Sequence, residues 1–153
     1  MKISPMSADE CNTALIRIVS EFGDGYVKKG HYIFDAITRL PPGFVEKKLL
    51  TNELISRLKG YVNLHAVFDP NPRNTPFRLQ LLQVLGVSED ILGVKIATED
   101  IRKMLVSYDC DFYVLAPDGT LLSVASHEDE IVNNERVMWC PIAVAKKAVK
   151  ERP

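Results

Sequence analysis

Residues 112–125 read Phe112-Tyr113-Val114-Leu115-Ala116-Pro117-Asp118-Gly119-Thr120-Leu121-Leu122-Ser123-Val124-Ala125. Two apolar runs flank Pro-Asp-Gly. Proline presets the backbone at the second turn position and glycine suits the fourth, so the stretch predicts a β-hairpin with strands near 111–116 and 120–125. Upstream, Val62, Leu64, Ala66 and Phe68 alternate with Tyr61, Asn63, His65 and Val67, the period of a half-buried strand over 61–68. Short apolar runs predict further strands over 93–97 and 137–142.

Helical signals surround these strands. Ser7 and Glu10 have the spacing of a capping box, and Cys11, Ala14, Leu15, Ile18 and Phe22 follow at helical period until Gly23-Asp24-Gly25. Leu54, Ile55 and Leu58 share one face of a helix over 52–59, with Gly60 just past its end. Thr75-Pro76 reads as an N-cap followed by proline in the first turn, with Gly86 ending the helix. A helical turn is expected over 87–92, starting at Ser88. Thr98 is expected to cap a helix running to Ser107 with Ile101, Met104 and Leu105 inward, and a closing helix is expected over 143–151. Residues 31–40 suit helix and strand equally, and Pro41-Pro42-Gly43 ends them. Helices interleaved with strands around a local hairpin imply an α+β fold. The expectation is one domain over 1–153, an antiparallel or mixed sheet with about four to six helices over one face.

At 153 residues, 46% hydrophobic and 25% charged, the chain has the composition of a globular domain, not of a disordered or collagenous one. No apolar run approaches the ~18 residues of a membrane span. Met1 to Met6 lacks the apolar core of a signal peptide. Cys11, Cys110 and Cys140 are an odd set without CxxC spacing, which suits reduced, buried thiols in a cytoplasmic protein. A net charge of −1, with lysine pairs scattered at 28–29, 47–48 and 146–147, argues against nucleic acid as partner.

That small net charge hides a segregation. Residues 104–135 contain no Lys or Arg and seven acids: Asp109, Asp111, Asp118, Glu128, Asp129, Glu130 and Glu135. Residues 136–153 carry Arg136, Lys146, Lys147, Lys150 and Arg152 against Glu151. Uncompensated carboxylates repel one another unless basic groups fold beside them. Either the downstream lysines neutralise the segment, or it forms an acidic surface for a basic protein partner, with those seven residues as the partner-binding set.

Catalytic patterns are sparse. His127-Glu128-Asp129-Glu130 lacks the second histidine of His-Glu-x-x-His, since position 131 is Ile131. Asp109-Cys110-Asp111 runs into Phe112 instead of continuing as a calcium loop. No lysine in 104–135 is available to a metal nuclease, and neither a phosphate loop nor a Gly-x-Ser-x-Gly elbow occurs. Cys110 or Cys140 with His65 or His127 are the options for a cysteine–histidine pair. The expectation is therefore a non-catalytic binding module without cofactor, of the kind of an inhibitor or immunity protein. The alternative is a metal-assisted hydrolase using Asp109, Asp111, His127 and Glu128.

Overall fold

The computed structural model describes residues 2–22, 32–33, 47–141 and 144. Along them run β1 (Ile3–Pro5), α1 (Ala8–Phe22), β2 (Lys47–Leu50), α2 (Thr51–Leu58), β3 (Asn63–Phe68), α3 (Thr75–Val84), β4 (Gly93–Ala97), α4 (Arg102–Leu105), β5 (Phe112–Leu115), β6 (Leu121–Ala125), β7 (Ile131–Val132) and β8 (Glu135–Cys140). The strands form one sheet in the order β1-β4-β3-β5-β6-β8-β2, with β7 paired to β8 off that path. Every pairing is antiparallel. With the four helices this is an α+β fold.

Local chemistry explains the hairpin and the first helix. Gly119 N–H donates to the Ala116 carbonyl at 2.8 Å, and Gly119 takes φ 91°, which glycine enters without steric cost. A register shift between Val114 and Leu115 absorbs the turn. At α1 the capping box closes in both directions: Ser7 N–H donates to Glu10 Oε1 and Glu10 N–H to Ser7 Oγ, each at 3.1 Å. α3 ends where Gly86 takes φ 77°, with Gly86 N–H on the Gln83 carbonyl and Val87 N–H on that of Leu82. These two bonds are the Schellman closure that a glycine at this position permits.

Helices cover both faces of the sheet, not one. Leu64, Ala66 and Phe68 of β3 bury with Leu54 and Leu58 of α2, Leu81 and Leu82 of α3, and Met104 and Leu105 of α4. Val67 points the other way, into a second core with Cys11, Leu15 and Ile18 of α1 and with Tyr113 and Val124. Adjacent strand residues point to opposite faces, so one strand feeds both cores. β3 is therefore half-buried only at its start, where Asn63 is exposed. α1 lies so close to β4 that a Cβ on Gly93 would stand 2.8 Å from Cys11 Sγ.

Several boundaries differ from the sequence expectation. Thr75 opens α3 without capping it, and Asn74 holds the cap position with its side chain engaged elsewhere. Asn74 Nδ2 donates to the Asp69 and Asp111 carbonyls while its Oδ1 accepts from Asp111 N–H, which ties the loop after β3 to the start of β5. A 3-10 turn at Pro72–Asn74 precedes it, capped by Asn71. Residues 87–92 form no helical turn. Instead of one helix from Thr98 to Ser107 there is a 3-10 turn at Thr98–Asp100 followed by the single turn of α4, although Ile101, Met104 and Leu105 are buried as expected. β1, β2 and β7 are additional strands. Most of 31–40 and of the expected helix over 143–151 lies outside the described residues.

Candidate functional site

Arg136, on β8, is the largest fully buried side chain among the described residues. A guanidinium carries five N–H donors in a fixed fork and cannot shed its charge. All five find acceptors here. Nε donates to Asp129 Oδ2 at 2.8 Å, Nη1 to the carbonyls of Leu105 at 3.5 Å and Ser107 at 3.0 Å, and Nη2 to those of Cys110 at 3.4 Å and Ser126 at 2.8 Å. The Phe112 ring lies 5.8 Å from the guanidinium carbon. Arg136's backbone exchanges two 3.0 Å bonds with Thr51 Oγ1 at the start of α2. One cation thus ties the loop over 105–110, the loop over 126–129 and β8 together.

This geometry divides the seven acids. Asp129 is a structural counter-ion: its side chain is 2% exposed, and Oδ2 also accepts Ser126 N–H. Asp111 is buried, and its Oδ1 accepts His127 N–H at 2.9 Å and lies 2.8 Å from His127 Nδ1. Glu135 is half-buried, with Oε1 accepting the Asn52 N–H in the first turn of α2. Asp118 is exposed, but in the turn of the β5–β6 hairpin, at the opposite end of those strands. There its Oδ1 accepts Thr120 N–H, which holds its carboxyl below the usual range. Asp109, Glu128 and Glu130 remain exposed on the two loops that Arg136 joins. The compensating charge nearest the segment is Arg136, within β8; Lys146, Lys147 and Lys150 lie outside the described residues.

Apolar side chains stand out on the 105–110 loop and on β7. Val106 is 58% exposed, Ile131 44% and Val132 43%, and Tyr108 is also exposed. Tyr108 Oη donates to the Asn134 carbonyl at 3.3 Å, which sets the ring beside the β7–β8 turn. Asn133 and Asn134 both have positive φ, 51° and 63°. That is the two-residue turn that matches strand twist, and asparagine tolerates it better than most residues. The Asn-Asn pair between Ile131-Val132 and Glu135 was the available sequence signal for this hairpin.

The hydrolase set does not assemble. Asp111 and His127 meet, but His127 Nδ1 faces Asp111, and Nε2 lies 4.0 Å from Glu128 Oε1. Among the described residues no group of three or more His, Cys, Asp or Glu could hold a metal ion. All three cysteines are free thiols and buried. Burial pushes Cys110 up to about 12 and Cys140 up to about 11, so both stay protonated near neutrality, the wrong state for a nucleophile. The Tyr32 ring lies 5.0 Å from that of His127.

Replacing Arg136 by Met should destabilise the protein by about 3–5 kcal/mol, because Asp129 is left buried without its cation. Chemical denaturation checks this, and the double change Arg136→Met with Asp129→Leu should regain part of the loss. A second expectation concerns pH. Burial raises Asp111 from 3.8 to about 6, against the opposing pull of its His127 bonds. A carboxyl raised in the folded state contributes stability that is full below its ordinary value and is lost as pH rises through about 6. Asp111→Asn should flatten this part of the stability profile between about pH 4 and 7, by up to ~3 kcal/mol.

No helix among the described residues is long and apolar enough to cross a membrane. Comparison with known proteins found no matching family model, no matching curated protein and no matching solved structure.

Proposed function

We propose that this chain is a protein-binding module that presents an acidic face with an apolar centre to a basic protein partner. The observation that carries the reading is that exposed Val106 and Tyr108 share the 105–110 loop with exposed Asp109, that Tyr108 reaches the Asn134 carbonyl in the β7–β8 turn, and that exposed Ile131 and Val132 of β7 directly follow exposed Glu128 and Glu130. Protein interfaces commonly have an apolar centre and a polar rim. Exposed apolar groups gathered in one place on a folded domain are more informative than the same groups scattered.

The two kinds of residue have separate tasks. The carboxylates raise the encounter rate with a basic surface and disfavour acidic competitors. Tyr108 and its aliphatic neighbours supply the area whose dehydration slows dissociation. Asp111 and Asp129 act behind the surface: they fix the loops and offer no free charge to a partner. Within this reading, an inhibitor or immunity protein that covers a basic active site is the specific instance proposed. The compartment proposed is the cytoplasm, which three buried free thiols suit.

The test is affinity capture from lysate of the source cells at roughly 0.05 M and 0.5 M salt, where screening lengths differ severalfold. A basic protein should be retained at low salt and weakened at high salt. With that partner purified, Asp109→Lys, Glu128→Lys and Glu130→Lys together should slow association by about tenfold or more, while Tyr108→Ala should mainly speed dissociation. Equal binding by the charge-reversed protein, or no specific retention at either salt, contradicts the proposal.

A further inference from the structure

The sheet face that α1 covers is left open beyond His65. In register across it lie Ser4 of β1, Lys95 of β4, His65 of β3 and Leu115 of β5. A cavity of about 480 Å³ opens there, lined by Lys2, Ile3, Ser4, Asn63, His65, Lys95 and Pro117. Its lining contains two lysines, a histidine, an amide and a hydroxyl, and the nearby carboxylates are Glu10, on Lys95, with Asp9 and Asp118 in the adjoining cavity that shares His65 and Pro117. Such a volume is typical of small-molecule sites. It lies by the hairpin turn, at the opposite end of the β5–β6 strands from the loops that carry Asp109, Glu128 and Glu130.

We propose that this cavity binds a small phosphorylated molecule, with His65, Lys95 and Lys2 holding the phosphate and Asn63 and Ser4 completing its hydrogen bonds. Three observations support it beyond the charge of the lining. His65 is only partly buried, and neither ring nitrogen has a hydrogen-bond partner among the described residues, so the imidazole is available to a ligand. Lys95 is held by Glu10 Oε2 at 3.0 Å, which uses one of its three N–H donors and leaves two. Glu10 is itself fixed by the capping box of α1, so the ammonium is positioned before any ligand arrives. Ile3 and Pro117 supply apolar wall for the non-phosphate part of the molecule.

The electrostatics give the proposal a signature. Burial, and then Lys95, hold His65 below its usual value, and Glu10 opposes them. A bound phosphate adds negative charge beside the ring, so by linkage it must raise the His65 pKa, and protonated His65 must in turn bind it more tightly. Glu10, near Lys95, competes electrostatically with the same anion. Replacing that carboxylate by an amide, which keeps an acceptor for Lys95 and Ser7 but loses the charge, should therefore favour binding, whereas removing the lysine's charge should weaken it.

The experiment follows the His65 ring proton by NMR while inorganic phosphate, O-phosphoserine or acetate is added at matched ionic strength. Saturable shifts are expected with phosphate and phosphoserine, and acetate should be weaker. The His65 titration midpoint should be higher in phosphate than in chloride. Lys95→Gln should weaken binding about tenfold or more, while Glu10→Gln should tighten it severalfold. Thermal melts confirm that both variants fold. A saturable shift with inorganic phosphate and no gain for phosphoserine would overturn the phosphorylated-molecule assignment in favour of the free ion. Shifts linear in salt, equal with chloride, or unchanged in Lys95→Gln would overturn the site itself.

Discussion

A guanidinium with no access to water is the constraint around which one end of this protein is built. Dehydrating a cation costs several kcal/mol, and only good geometry on every donor offsets that. Arg136 meets the condition with one carboxylate and four backbone carbonyls. Three of those carbonyls, of Ser107, Cys110 and Ser126, belong to loops without regular structure and the fourth, of Leu105, ends α4, so their polar groups would otherwise lack partners beside the core. Loop shape and buried charge therefore support each other. A lysine, with three donors on a flexible stem, has neither the number nor the fork to replace it.

From this follows a division of labour in the acidic segment. Asp129 neutralises the buried cation, and Asp111 anchors the backbone and ring of His127. Spending two acids inside leaves Asp109, Glu128 and Glu130 exposed on loops that are fixed and not free to fold away. A charged surface held in place loses less conformational freedom on binding than one carried by a loose loop. The apolar residues between them would be a solubility liability in isolation, and the surrounding charge limits it.

The parts of the fold legible in the sequence are those specified by neighbouring residues. Pro117-Asp118-Gly119 announces its hairpin and Ser7-x-x-Glu10 its helix start, because the determining bonds span three residues. β1 and β2 are short, and each finds its partner far along the chain, Ile3 opposite Ile96 and Lys47 opposite Cys140. Nothing local marks them. The half-buried reading of β3 holds over Asn63 to Ala66 and breaks at Val67 for a related reason: Val67 meets α1, whose docking no window of neighbouring residues contains. For the site, the uncompensated run of seven acids was visible, and so was the arginine that ends it. That Arg136 turns back into the segment was not visible, because its acceptors spread from Leu105 to Asp129 and four of them are backbone oxygens without side-chain identity. The cavity at His65 was equally hidden, since Lys2, Lys95 and His65 converge only through strand register.

The most direct test of the central role of Arg136 is amide hydrogen exchange on the unmodified protein, read residue by residue. The amides of Cys110, Ser126, His127 and Asp129 all donate within the region bound to the guanidinium. If the buried cation joins the two loops to β8, these amides share one opening free energy with the amides of β8. Exchange of the loop amides orders of magnitude faster than those of β8 would show that the loops open alone, and would contradict the role given to Arg136.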